Sequence, residues 1–92
     1  MEVVDNPDKS RYELRVDGRV AGFIQYRRTP DAIDLIHTEV EPEFEGQGLG
    51  SVLAEGALED LRARGVHAIA TCPFIATYRK RHPEYADVFA TS

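Results

Sequence analysis

The sequence predicts an α/β fold: a mixed sheet in which an antiparallel meander gains one further strand through a helical crossover. Three observations predict it. Residues 11–40 alternate apolar and polar side chains between short turn signals, the period of half-buried strands. Residues 49–64 carry apolar side chains at helical spacing. That stretch lies between two strand-like runs, so strand, helix and strand make one right-handed crossover unit.

Ninety-two residues make one domain, 1–92, with a core over about 11–89 and room for one modest hydrophobic core. The chain is 42% hydrophobic, and no apolar run reaches the roughly 20 residues of a membrane span. Met1-Glu2-Val3-Val4-Asp5 lacks the basic and apolar regions of a signal peptide. The single cysteine, Cys72, excludes an intrachain disulfide, and a reducing cytoplasm is the expected location. A net charge of −5 argues against a general nucleic-acid binder. Residues 1–10 and 90–92 are expected to fray.

Each element follows from its residues. In Arg11–Asp17, Tyr12, Leu14 and Val16 point one way and the charged residues the other. Asp17-Gly18 is a two-residue hairpin signal. The next strand, about Arg19–Arg28, sets Val20, Ile24 and Tyr26 on one face and Ala21 and Phe23 on the other, with Gly22 marking a bulge. Thr29-Pro30-Asp31 turns the chain. A third strand, about Ala32–Val40, puts Ile33, Leu35 and His37 on one face and Ile36, Thr38 and Val40 on the other. A helix over about Leu49–Arg64 has Leu49, Val52, Leu53, Ala57, Leu58 and Leu61 as its core stripe, and Gly65 takes the left-handed position after it. Val66–Thr71 reads as a buried parallel strand. A second helix begins with Cys72 near its N-cap and Pro73 in its first turn, and ends before Pro83.

The stretch that points to function is Glu45-Gly46-Gln47-Gly48-Leu49-Gly50-Ser51. Alternating glycines let backbone N–H groups crowd together, and the helix that opens here turns its positive pole to the same point. Such a loop suits a phosphate or pyrophosphate. It lacks the Lys-Ser/Thr pair of a P-loop, and its G-x-G-x-G spacing departs from the dinucleotide fingerprint.

Gly46-Gln47-Gly48-Leu49-Gly50, set between a strand and an amphipathic helix, resembles the acyl-coenzyme A pyrophosphate loop of the GNAT superfamily of N-acetyltransferases. With His37-Thr38-Glu39-Val40, Cys72-Pro73-Phe74 and His82-Pro83-Glu84-Tyr85 in this order, the chain resembles the minimal, single-domain YjdJ-type subgroup over roughly residues 11–89. The resemblance implies a minimal GNAT fold and an acetyl-coenzyme A-dependent transfer of an acetyl group to a primary amine, with no metal. It implies that the strands Ile36–Val40 and Val66–Thr71 splay apart. Pantetheine would lie against Thr38, Glu39 and Val40 and the pyrophosphate on Gly46, Gln47, Gly48, Leu49, Gly50 and Ser51, with Pro73 and Phe74 also binding the cofactor and Cys72 near the acyl group. The amides expected to hold the anion are those of Gln47, Gly48, Gly50 and Ser51. Glu45 departs from the Arg or Gln usual in the family's loop and places no cation beside the phosphates.

Three residues are candidates for chemistry. Cys72, at a helix N-terminus that favours thiolate, is a nucleophile, a lining of the pantetheine tunnel, or a small buried packing residue. His37 is a general base or a half-buried structural histidine. Tyr78 is implied by the resemblance as the acid that protonates the departing thiolate, with packing as its other reading. His82 is expected to cap a helix end. Arg79, Lys80, Arg81 and Arg28 are solvated cations or phosphate contacts. Glu39, Glu41, Glu43 and Glu45 are solvated charges, or their outward members attract a cationic acceptor. Larger GNAT enzymes wall the acceptor site with two helices after the first strand; Asp17-Gly18 leaves no room for them here, so the resemblance implies an open acceptor cleft suited to a protein or peptide, and a monomer or weak dimer is expected. The rival readings are a coenzyme A-binding module without turnover and a plain interaction domain whose glycine-rich stretch is an ordinary strand-to-helix turn.

Overall fold

The structure, a computed structural model, describes residues 1–90. Five strands form one sheet in the order β1 (Glu2–Asn6), β2 (Arg11–Val16), β3 (Arg19–Arg28), β4 (Ala32–Val40) and β5 (His67–Ala70). The first four pair antiparallel; β5 runs parallel to β4 after the crossover through α1 (Leu49–Arg64). A second helix, α2 (Pro73–Arg81), follows β5. No helix is long and apolar enough to cross a membrane among the described residues.

One face of the sheet carries both helices. Leu14, Ile24 and Leu35 from the strands, Leu53, Leu58 and Leu61 from α1, and Ile75 and Tyr78 from α2 belong to one buried cluster. Each fully buried Leu or Ile contributes about 1.5–3 kcal/mol relative to exposure. The α1 bounds match the predicted periodicity, and Gly65 at φ 69° closes the helix, with Val66 N–H donating to the Leu61 carbonyl at 2.9 Å. One member of the expected stripe is wrong: Val52 is 37% exposed, and Ala54 takes its place inside.

The N-terminus is the largest correction to the fold. Residues 2–6, expected to fray, form β1, paired to β2 from Glu2↔Arg15 to Asn6↔Arg11. The meander therefore has four strands. Gly56 of α1 leaves the notch that Val3 fills. A polar latch then ties β1, β2, β3 and α1 together. Tyr12 Oη donates to Asp60 at 2.6 Å, Tyr26 Oη donates to Asp5 at 2.6 Å, and Arg64 bonds Asp5, Asp60 and the Tyr12 hydroxyl. At the other end, Ala90 N–H donates to Ala68 O at 2.8 Å, so this residue is held rather than frayed; residues 91 and 92 lie outside the described residues.

Two bulges reset the faces of the strands. In β3, Leu14 pairs with Gly22 and Arg15 with Val20, so Ala21 is the extra residue, turned into the core, and Val20 lies on the outer face. In β4, Gln25 pairs with His37 and Tyr26 with Leu35, so Ile36 is extra. After it the alternation flips: Thr38 and Val40 join the helix side, opposite Ile24 and Gly22, and His37 and Glu39 move to the outer face.

The outer face is polar. Glu13 is 2% exposed there, clasped by Arg15, Arg11 and Asn6. Burial alone pushes its carboxyl up, but the bonds from Arg15, Arg11 and Asn6 together outweigh burial and bring it down to about 2. A carboxylate depressed in the folded state stabilises above its unfolded value of about 4.5, and that contribution is lost as pH falls towards 2. Glu13→Gln is therefore expected to flatten the acid limb of stability between these values, measured as denaturant midpoint against pH. An unchanged acid limb would remove Glu13 from the account of acid sensitivity.

Candidate active site

Three elements meet at the end of β4. The first is β4 itself. It pairs with β5 only from Ala32↔His67 to Leu35↔Ala70, and Cys72 N–H closes the contact on the Leu35 carbonyl at 2.8 Å. Beyond the Ile36 bulge, β4 stays with β3 as far as Gly22↔Val40 and leaves β5. Its edge over 36–40 thus has main-chain groups and no neighbouring strand among the described residues. The predicted splay is present.

The second element is the glycine loop. Pro42–Phe44 form a 3-10 turn, and Gly46 and Gly48 follow at φ 84° and 72°. Gly48 is the N-cap of α1 and supplies no side-chain cap. Most residues resist this left-handed backbone. Its effect is to leave the amides of Gly46, Gln47, Gly48, Leu49 and Gly50 with no protein acceptor among the described hydrogen bonds. The Ser51 amide differs from expectation: it donates to the Gly48 carbonyl at 3.2 Å. The donor set is therefore shifted one residue toward the loop, with the positive pole of a 16-residue helix behind it.

The third element is the start of α2. Cys72 is its N-cap and Pro73 its first residue, as read from the sequence. Cys72 is 4% exposed, and its Sγ lies 3.5 Å from Thr38 Oγ1, across the mouth of the splay. The Phe74 ring lies against Gly50: a Cβ there would meet its Cζ at 2.9 Å. Contacts through Thr38–Cys72 and Gly50–Phe74 thus join free strand edge, helix pole and thiol in one place.

The other candidates are distributed differently. His37 does not share a face with Leu35; the bulge exposes it on the outer face, where its Nε2 lies 3.2 Å from Glu39 Oε1 and its ring 6.3 Å from that of Phe23. Tyr78 is buried on the α1 side of α2, stacked on His82 at 4.0 Å. Burial and the carboxylates of Glu55, Glu84 and Glu59 raise its hydroxyl, so it stays protonated. It lies roughly 9 Å along the helix from Cys72 and shares no hydrogen bond with it among the described residues. His82 caps α2, its N–H on the Tyr78 carbonyl and its ring on Glu84.

Among the cations, Arg28 pairs with Ile33 at the far end of β4 from the loop, which excludes it as a phosphate contact. Arg79, Lys80 and Arg81 are exposed on the last turn of α2, with Arg79 over the Phe89 ring at 5.0 Å. The cation that sequence reasoning missed is Arg19, which grips Glu43 and stacks over Phe44. Arg19 neutralises one of the four acids before the loop, while Glu45 is exposed beside it. No group of three or more potential metal ligands occurs among the described residues. An open polar basin of about 760 Å³ lies over Arg11, Glu13 and Arg15 on the outer face, away from the splay.

Comparison with known proteins agrees with this geometry. Residues 11–88 match the family model of the GCN5-related N-acetyl-transferases. Ribosomal protein bS18-alanine N-acetyltransferase of Escherichia coli is 33% identical over 55 residues, 60% of this chain and 37% of that protein. Protein NATD1 of Xenopus tropicalis is 37% identical over 51 residues, 55% of this chain and 47% of that one. The matched stretch thus spans between a third and a half of the length of these curated relatives. The solution structure of a GCN5-like protein from Staphylococcus aureus superposes with a TM-score of 0.73 at 25% identity, covering 99% of this chain and 89% of that one. A free β4 edge, a bare helix pole and a match over 78 of 92 residues lead to one conclusion: the chain belongs to the GCN5-related N-acetyltransferase family.

Proposed function

We propose that the chain transfers an acetyl group from acetyl-coenzyme A to a primary amine. The observation that carries this reading is the run of unpartnered amides at Gly46–Gly50 beside the unpaired edge of β4. The loop amides suit a diphosphate. The main chain of Thr38, Glu39 and Val40 suits the amide-bearing pantetheine arm as an added strand. The Phe74 ring against Gly50 and the Thr38–Cys72 contact support a cofactor lying between them, with Pro73 beside it. With coenzyme A so held, the thioester carbon is presented to the acceptor, and positioning supplies most of the rate. Relatives named for acetylation of a ribosomal protein, and an outer face that carries no helix among the described residues, support a protein or peptide acceptor. We further place the chain in the YjdJ-type subgroup, on its four motif segments, and in the cytoplasm, on its single thiol.

Turnover tests the reading: purified protein, acetyl-coenzyme A and a panel of amines are mixed while free thiol is followed. Thiol release that requires an amine supports it; none with any amine contradicts it. Cys72→Ala is expected to lower turnover about tenfold or more with coenzyme A affinity unchanged. Mass spectrometry of the protein after exposure to acetyl-coenzyme A separates an acetyl-Cys72 intermediate from direct attack. An unchanged rate would leave Cys72 as a packing residue. A second reading, a coenzyme A-binding module without turnover, is favoured by the burial of Cys72 and by Tyr78 facing the acids of α1. It predicts affinity for the cofactor with no thiol release.

A further inference from the structure

This inference rests on the acetyl-transfer reading and narrows its acceptor. We infer that the polar basin on the outer face, through Arg11 and Arg15, grips the carboxylate of an acidic residue about three positions from the acceptor amine of a peptide or protein. Strand register lays out this face. The pairs Glu13↔Phe23 and Phe23↔Glu39 put three side chains in one row across β2, β3 and β4. The next row runs from Arg11 through Gln25 to His37. Neighbouring strands lie about 4.8 Å apart, which sets the Glu13 position roughly 10 Å from that of Glu39. Glu39 belongs to the stretch of β4 that has left β5. An extended peptide covers that span in about three residues.

The floor of the basin is built on Glu13, whose side chain is 3% exposed. Both of its oxygens are occupied. Oε1 accepts from Arg15 Nη2 at 2.8 Å and Nε at 3.2 Å; Oε2 accepts from Arg11 Nε at 2.8 Å and Asn6 Nδ2 at 3.1 Å. The buried carboxylate thus fixes two guanidiniums without using them up. Both terminal amino groups of Arg11, and Nη1 of Arg15, have no protein acceptor among the described residues. Arg11 is also held over the Phe23 ring at 4.6 Å. Guanidiniums fixed in this way lose little freedom when they grip a carboxylate. With Lys9 they line the hollow of about 760 Å³.

The charges around the hollow point to a tethered ligand. Glu2 and Asp17 also line it, and with Glu13 they balance the three cationic side chains. Neither forms an ion pair with Arg11 or Arg15 among the described residues. A basin without net charge draws a free anion weakly from solution. A carboxylate on a chain already seated at β4 arrives at high local concentration instead. At the β4 end of the row Glu39 is exposed and negative. The face therefore presents opposite charges roughly 10 Å apart, complementary to a cationic amine and an acid on one peptide.

The probes are two short peptides with one lysine each, carrying glutamate or glutamine three residues to either side of it. With the intact chain and acetyl-coenzyme A, the glutamate peptide should show a KM about tenfold lower at equal kcat, because the guanidiniums hold it alike before and during transfer. Arg15→Gln, which keeps a donor for Glu13, should remove most of that difference. Arginine Nε–Hε correlation spectra of the parent should show Arg11 and Arg15 shifting with the glutamate peptide and not with the glutamine peptide. Equal KM values for the two peptides, or a difference that survives Arg15→Gln, overturn the inference. Equal shifts with inorganic phosphate at the same concentration also overturn it, since the basin would then take any small anion. The peptide pair and the spectra use the parent alone, so a variant that fails to fold leaves the test standing. Thiol release from either peptide upholds the acetyl-transfer reading whatever the basin does. No release with any amine removes that reading, and the inference with it.

Discussion

Gly48→Val is expected to weaken coenzyme A binding about 100-fold or more while leaving the chain folded. Gly48 sits at φ 72° and ψ 21° as the N-cap of α1. A β-branched residue resists that region by about 1–2 kcal/mol. The loop escapes by returning to negative φ, which rotates the neighbouring peptide planes. The amides of Gly48, Leu49 and Gly50 then no longer point to one spot. A hydrogen bond to a charged group contributes about 1.5–3 kcal/mol, so losing two accounts for roughly two or more decades of affinity. The fold survives because a Cβ at this position meets nothing within 4 Å. Calorimetric titration with coenzyme A and a thermal melt separate the two effects. Parent-like affinity would show that the left-handed N-cap does not shape the anion site.

Gly22→Val is expected to act on stability, at a cost of about 2–4 kcal/mol. A Cβ on Gly22 would lie 2.7 Å from the Glu39 carbonyl oxygen, 3.2 Å from Val40 Cα and 3.2 Å from Leu53 Cδ1. Two of these three are main chain and cannot step aside as a flexible side-chain end does. β3 and β4 must part at the same end where β4 has already left β5. In a domain of this size each kcal/mol moves Tm by about 4–8 °C, so the melt should fall by on the order of 10 °C or more. A fall of less than a few degrees would mean that β4 near Glu39 is looser than its pairing implies.

The two glycines illustrate what was legible before the structure was known. The loop, the bounds of α1, the left-handed residue at Gly65 and the start of α2 at Pro73 are local signals, carried by neighbours in sequence. The bulges are not local: two residues opposing one exist only once strands pair, and Ile36 looks like any strand residue. That one insertion moved His37 and Glu39 to the outer face and Thr38 toward Cys72. β1 escaped for a related reason. Val3 and Val4 are adjacent rather than alternating, and the strand is held by a notch at Gly56 and a latch through Asp5, Arg64 and Asp60, far along the chain. Arg28 and Arg19 exchange importance because antiparallel pairing puts the start of β3, not its end, beside the loop. Of the candidate site, the glycine loop before α1 and Cys72 at the head of α2 could be read directly, while the company each keeps could not.

The most direct test of the central claim is a titration of the protein with coenzyme A, followed by backbone amide spectra. The account predicts that the largest shifts fall on Gly46–Gly50, with smaller ones along 36–40 and at Cys72, Pro73-adjacent Phe74 and Ser51. No shift in these amides at millimolar coenzyme A, or shifts confined to the polar basin around Arg11 and Arg15, would contradict it.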